Sequence, residues 1–205
     1  MTGKDELAAL AGGLSPGILP KHEFAGGRLC LDFCNTLSRG PGEGPRDRID
    51  SAAAFSAWAK RLGRCEVGPP TPDQLARLRD FRRALLAIFD AAVEMTGPAP
   101  ENLRALEAEI ADFRRSDRLI SPVNGRFALV DSTEAPVERL RHDIARDAAQ
   151  LLLGDDIARL KRCPGDDCLW LFFDSSKNLS RRWCAMEDCG SRHKVRRFRQ
   201  RRAAV

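Results

Sequence analysis

Four cysteines near the C-terminal end form two pairs of equal spacing. They are Cys163-Pro-Gly-Asp-Asp-Cys168 and Cys184-Ala-Met-Glu-Asp-Cys189, with fifteen residues between the pairs. Thiols so placed suit a tetrahedral zinc ion, which takes thiolate sulfur and has no redox chemistry of its own. Each pair makes a short loop able to aim two sulfurs at one point, and Pro164 and Gly165 fit the tight turn of the first loop. Four thiolates fill the coordination shell, so Cys163, Cys168, Cys184 and Cys189 would hold structure and leave no open position for a water nucleophile. Disulfides or a redox pair are one competing reading, and four unrelated buried thiols are another. No basic segment followed by an apolar core opens the chain, so no export signal is visible and the thiols are expected to stay reduced.

The residues after Cys189 suggest what the ion supports. Arg192, Lys194, Arg196, Arg197, Arg199, Arg201 and Arg202 follow with no acid among them. Positions 192–202 hold no Thr, Pro or Gly, so they can form one helix of about three turns. Ser191, Val195, Phe198 and Arg202 share a narrow stripe, and Val195 and Phe198 are expected to pack on the zinc module. A knuckle, a hairpin in the insert and a helix carrying the last ligand describe a treble-clef-like finger. Arginine forks bond phosphates and guanine edges, and a helix fits the major groove. With Arg181 and Arg182 ahead of the second pair, the basic residues are therefore expected to contact nucleic acid. DNA is favoured over RNA, because Trp170, Phe172, Phe173 and Trp183 read as module core and not as a stacking surface. A protein-interaction module with an acidic partner is the alternative, an RNA binder a further one.

Trp183-Cys-Ala-Met-Glu-Asp-Cys-Gly-Ser-Arg192-His-Lys194 resembles the CGNR zinc-finger family, as do Trp170-Leu-Phe-Phe-Asp174 and the run Ser180 to Cys184. Leu29-Cys-Leu-Asp-Phe-Cys-Asn-Thr36 is similar to the motif that opens the ABATE domain, the usual N-terminal partner of that finger. The resemblance implies a bacterial regulator of transcription, stress-induced, with the finger as its DNA-binding part. One position departs from the pattern: Ser191 stands where the family has Asn, and Ser can still cap a helix or bond a thiolate.

The elements that must position these residues fill the rest of the 205-residue chain, long enough for one main domain plus a small module. The net charge of +5 hides an asymmetry, since seven Lys/Arg and no acid lie in 190–205 and the remainder sums to −2. That points to a polyanionic or acidic partner for the C-terminal end. No apolar run approaches the ~20 residues of a membrane span, and a cytoplasmic location is expected. Residues 1–20 read as a tail, 21–157 as the helical ABATE-like domain, and 158–205 as the finger on a short link.

The run Leu29 to Leu37 reads as a helix, with Asp32, Asn35 and Thr36 on one polar face. That face is either a small-ligand site, an enzymatic carboxylate at Asp32, or a buried network bonding the neighbouring backbone. Cys30 and Cys34 read as core thiols, and Cys65 is assigned no role. A Gly/Pro-rich loop covers 38–50, and helices are expected from Asp50 or Ser51 to Leu62, from Thr71 to Met95, around Leu103 to Phe113, and from Pro136 to Leu153. Arg77, Arg79, Arg82 and Arg83 read as a solvated face. Asn124-Gly125 predicts a two-residue hairpin between 119–123 and 126–130, with Pro122 marking an edge strand. His142 reads as surface or helix packing, with no catalytic set around it.

The expected fold is thus mainly α, with a minor α+β part: a multihelical N-terminal domain with one β-hairpin, then a treble-clef-like zinc finger. The expected activity is binding, not catalysis. The N-terminal domain would sense a small-molecule effector or form a homodimer.

Overall fold

The computed structural model describes residues 24–39, 45–121, 127–165 and 168–203. The tail at 1–20 and the Asn124-Gly125 turn with Pro122 lie outside the described residues. Among the described residues five α-helices build the N-terminal domain: α1 (Leu29–Cys34), α2 (Ala52–Arg61), α3 (Pro72–Glu94), α4 (Pro100–Ser116) and α5 (Pro136–Leu153). Three antiparallel pairs of strands accompany them: β1 (Leu37–Arg39) with β2 (Pro45–Asp47), β3 (Asp117–Ile120) with β4 (Ala128–Asp131), and β5 (Leu160–Arg162) with β6 (Leu171–Phe173). A last helix, α6 (Ser191–Ala203), closes the chain.

The helix ends follow local chemistry. Ser51 caps α2 by accepting from the Ala54 amide. Thr71 and Gln74 form a reciprocal capping box at the start of α3, and Pro72 occupies the first turn, where its missing N–H costs nothing. α3 packs on α4, α4 on α5, and α1 lies between α5 and α3. Their inward faces, including Leu31, Phe33, Trp58, Leu78, Leu85, Phe89, Leu140 and Ile144, make one buried core. Among the described residues no helix is long and apolar enough to cross a membrane.

Two expectations need correction, the extent of the first helix and the place of the finger hairpin. The first helix stops at Cys34 and Leu37 enters a strand, so the N-terminal domain holds two hairpins, not one. Thr36 ends α1 by turning its hydroxyl onto the Phe33 carbonyl (2.6 Å). The β3–β4 hairpin forms as expected, pairing Leu119 with Leu129 and Ile120 with Ala128. The hairpin of the finger does not lie in the insert between the cysteine pairs; β5 precedes Cys163 and β6 follows Cys168, so the strands flank the first pair. Beside the short link, the finger packs on the helical domain. Leu160 and Leu171 belong to the main core, and Arg162 bonds Asp90 of α3 at 2.6 Å.

Candidate zinc centre and basic helix

Cys163 and Cys168 close the β5–β6 turn, where the Cys163 amide donates to the Trp170 carbonyl at 2.9 Å and the Cys168 amide to the Gly165 carbonyl at 2.9 Å. Gly165 lies against the second pair, and a Cβ there would sit 3.3 Å from the Cys189 sulfur. Cys184 precedes and Cys189 lies within a wide π-type turn, Met186–Gly190, that runs straight into α6. The four Sγ atoms all fall within 4.8 Å of one another, with Cys184 Sγ 3.7 Å from both Cys168 Sγ and Cys189 Sγ. Four sulfurs each 2.3 Å from a shared ion would be separated by about 3.8 Å, whereas a disulfide needs about 2.05 Å. The spacing fits zinc and rules out bonded pairs in this arrangement.

The ionisation of the set agrees. Hydrogen bonds among the four thiols pull Cys163 below the ordinary thiol range and push Cys168 and Cys184 above it. The sulfurs cannot all ionise unaided, and a dication removes that conflict. Cys163, Cys168, Cys184 and Cys189 form a structural zinc site, around which Trp170, Phe172 and Trp183 pack as a second small core.

Charged groups brace the site. Arg181 donates to the carbonyls of Phe173, Trp183, Cys184 and, across the chain, Ala25, with its guanidinium 4.7 Å from the Phe172 ring centre. Arg181 is thus spent inside the module and offers no fork to a phosphate. Arg192 donates to the Cys189 sulfur at 3.2 Å and pairs with Asp188 at 2.9 Å. Ser191 Oγ donates to the Met186 carbonyl at 3.1 Å, so Ser in place of the family Asn closes the turn. Asp174 is fully buried and accepts from Lys161 at 2.6 Å, from Ser176 and from the Arg181 amide. Burial alone would favour its neutral form, but the bonds from Lys161 and Ser176 hold it well below the usual carboxylate range.

Helix α6 is turned the other way from the sequence reading. Its inward residue is His193, whose ring lies 4.8 Å from that of Trp183. Val195 and Phe198 are exposed on the opposite side, because a residue at i+2 or i+5 points away from position i. Lys194, Arg196, Arg197, Arg199, Arg201 and Arg202 are exposed, and Arg182 lies over the Trp183 ring at 5.4 Å. The solvent face therefore carries an apolar stripe with basic residues on both sides.

The polar face of α1 faces protein. Asp32 accepts from the Gly26 amide at 2.8 Å, and a Cβ at Gly26 would meet that carboxylate at 2.7 Å. Asn35 donates to the Leu171 carbonyl (2.8 Å) and accepts from the Leu171 amide (2.9 Å), as a strand partner would. Thr36 accepts from Arg82 at 2.7 Å. All three side chains are buried, and Asn35 ties the helical domain to the finger. Sequence spacing gave no sign of that bond, whose partners stand 136 residues apart.

His142 is not at the surface. It is buried between Asp131 of β4 at 2.7 Å and Asp112 of α4 at 3.5 Å, with Arg141 beside it. The Thr133 hydroxyl lies 3.4 Å from its Nδ1. Cys30 and Cys34 are buried core thiols, both pushed up by burial, and Cys65 is exposed.

Two family models match. Residues 27–155 match the ABATE family, whose description reads "Putative stress-induced transcription regulator", and residues 159–202 match the CGNR zinc finger. The first spans more than half of the chain, and the protein belongs to the ABATE family. Neither family is of an enzyme type. No curated protein matches the chain.

Proposed function

We propose that this protein is a DNA-binding transcription regulator of the bacterial cytoplasm. The zinc-held helix α6 lies against DNA, and the N-terminal domain binds a small-molecule effector or joins two copies. We divide the chain as 21–157 and 158–205. The observation that carries the reading is the display of α6: an acid-free helix anchored at one end by Cys189 and His193, with Lys194, Arg196, Arg197, Arg199, Arg201 and Arg202 exposed. A polyanion is the partner that such a surface attracts, through phosphate contacts that release counterions. Val195 and Phe198 suit contact with thymine methyl groups on a groove floor, which favours DNA over RNA. Arg182 extends the basic surface, and Arg181 drops out of the binding set because its donors are engaged. The enzymatic alternative through Asp32 is weakened, since that carboxylate is buried against the Gly26 amide.

Fluorescence anisotropy with a mixed-sequence DNA duplex, titrated with salt, tests the reading. The zinc-loaded protein should bind with a log–log slope near −0.9 per phosphate contacted. Replacing Arg196, Arg197 and Arg199 together by Gln should flatten that slope and leave the zinc content unchanged. Equal binding by both proteins at every salt concentration would remove α6 as the contact surface. Tighter binding to single-stranded RNA than to the duplex would favour the RNA reading.

A further inference from the structure

The β3–β4 ribbon is built unlike the rest of the molecule. Leu119 is 68% exposed, Ile120 43%, Phe127 71%, Leu129 68% and Val130 43%. Large apolar residues normally leave water when a fold offers them a core. Among the described residues none covers the ribbon, yet its base is held firmly. Asp117 pairs with Arg146 of α5 at 2.6 Å, Asp131 bonds His142 at 2.7 Å, and the Ser132 amide donates to the Ser116 carbonyl at 3.0 Å. In the observed register Asp117, Leu119, Leu129 and Asp131 share one face. The two aspartates dock that face on α5, and the two leucines continue it past the helix into solvent.

From this geometry we infer that the ribbon is a dimerisation arm whose occupant is the same ribbon of a second copy of this chain. This rests on the reading of the N-terminal domain as the part that joins two copies. Three features select that occupant. Among the described residues β3 and β4 pair only with each other, so each keeps an open edge of backbone donors and acceptors. An antiparallel edge can pair with its own two-fold copy, which makes the contact self-complementary. The ribbon is almost neutral, because Asp117 and Asp131 are engaged inward and Arg118 is the remaining charge on the two strands. A nucleic acid or a strongly charged partner would find little to hold. Leu119 and Leu129 lie on one face of the ribbon and Ile120 and Val130 on the other, so edge pairing with a second copy would continue both apolar faces across the two-fold. Two copies would also present two α6 helices, the arrangement by which dimers read paired half-sites.

Sedimentation velocity on the full-length zinc-loaded protein, over a wide concentration range, tests this. Wild type should sediment as a dimer at the upper concentrations. Leu119→Glu with Leu129→Glu should raise the dimer dissociation constant roughly a hundredfold or more. Both positions are exposed, so helical content by circular dichroism should be unchanged; Leu129→Ser serves as a milder variant and should weaken the dimer in the same direction. A wild-type protein that stays monomeric throughout overturns the inference, as does a folded double variant that dimerises as tightly as wild type. The DNA reading has a separate readout: the monomeric double variant should still bind a single duplex site with the salt slope of one α6 helix. If dimerisation fails while that slope persists, only the arm is lost.

Discussion

Helices α3 and α6 are both rich in arginine, and they put it to opposite uses. On α3, Arg82 is fully buried, donating to both oxygens of Asp47 at 2.8 and 2.7 Å and to Thr36. Arg79 also reaches Asp47, Arg77 bonds Glu109 and Asp112 of α4, and Arg83 bonds Asp80. Arg77, Arg79 and Arg82 are fasteners between elements and not the solvated face that their spacing suggested, while Arg83 stays exposed and pairs only within α3. α6 itself holds no acid; Arg192 pairs with Asp188 just ahead of it, and Lys194, Arg196, Arg197, Arg199, Arg201 and Arg202 are exposed. A count of arginines therefore says little about the field that a surface presents. What decides is whether folding brings carboxylates within a few ångströms, since a paired charge contributes little at a distance.

Removing the zinc should produce the largest effect on this contrast. A chelator, or Cys184→Ser, should cost roughly 10 kcal/mol or more of the module's folding energy. It should release α6, and because Leu160 and Leu171 belong to the main core, the loosening should reach α1. Hydrogen exchange followed by mass spectrometry would read it, and persistent protection of 186–203 without zinc would show that α6 does not depend on the ion. Next, Arg82→Ala should destabilise the protein by about 3–5 kcal/mol, because Asp47 loses its buried partner. Arg197→Ala should stay within about 0.5 kcal/mol. Equal losses in urea unfolding would erase the distinction between the two helices.

Acid should separate the regions more gently. Burial opposes the charge on Asp47, but bonds from Arg82 and the Ile49 amide, with the charges of Arg82 and Arg79, outweigh it and hold its carboxyl below the usual range. Asp112 and Asp131 are held low in the same sense against burial, the first by bonds from Arg115 and His142 and the charge of Arg77, the second by Thr133 and His142. A carboxylate whose folded value is depressed contributes stability that is present above its unfolded value, about 3.9, and is lost as pH falls through the folded value. Stability should therefore hold above about pH 4 and decline below it. In Arg82→Ala the part due to Asp47 should vanish from the urea midpoint profile. Arg197→Ala should leave that profile unchanged. The smallest effect is expected from Ser191→Asn, within about 0.5 kcal/mol and with zinc content unchanged, since either side chain can close the turn at Met186. A larger loss would mean that the Ser191 hydroxyl is specifically required.

The zinc ligands, the caps at Ser51 and Thr71, and the extents of α3 and α5 were all legible in the residues. Each rests on interactions within a few positions of the chain: paired thiols on a short loop, a hydroxyl reaching an amide three residues on, an apolar stripe of helical period. The same local logic misjudged α6, because periodicity identifies an apolar stripe but not what it faces. Val195 and Phe198 look outward since His193 against Trp183 sets the rotation of the helix, and that contact joins two segments through the zinc turn. The burial of His142 beside Asp131, the inward use of Arg181 and the Asn35–Leu171 bond belong to the same kind. Each joins residues that meet only when helices, turns and the metal knuckle pack together. Local spacing determined which elements form and where four sulfurs converge; packing across the chain decided which charges are spent inside and which are left facing solvent.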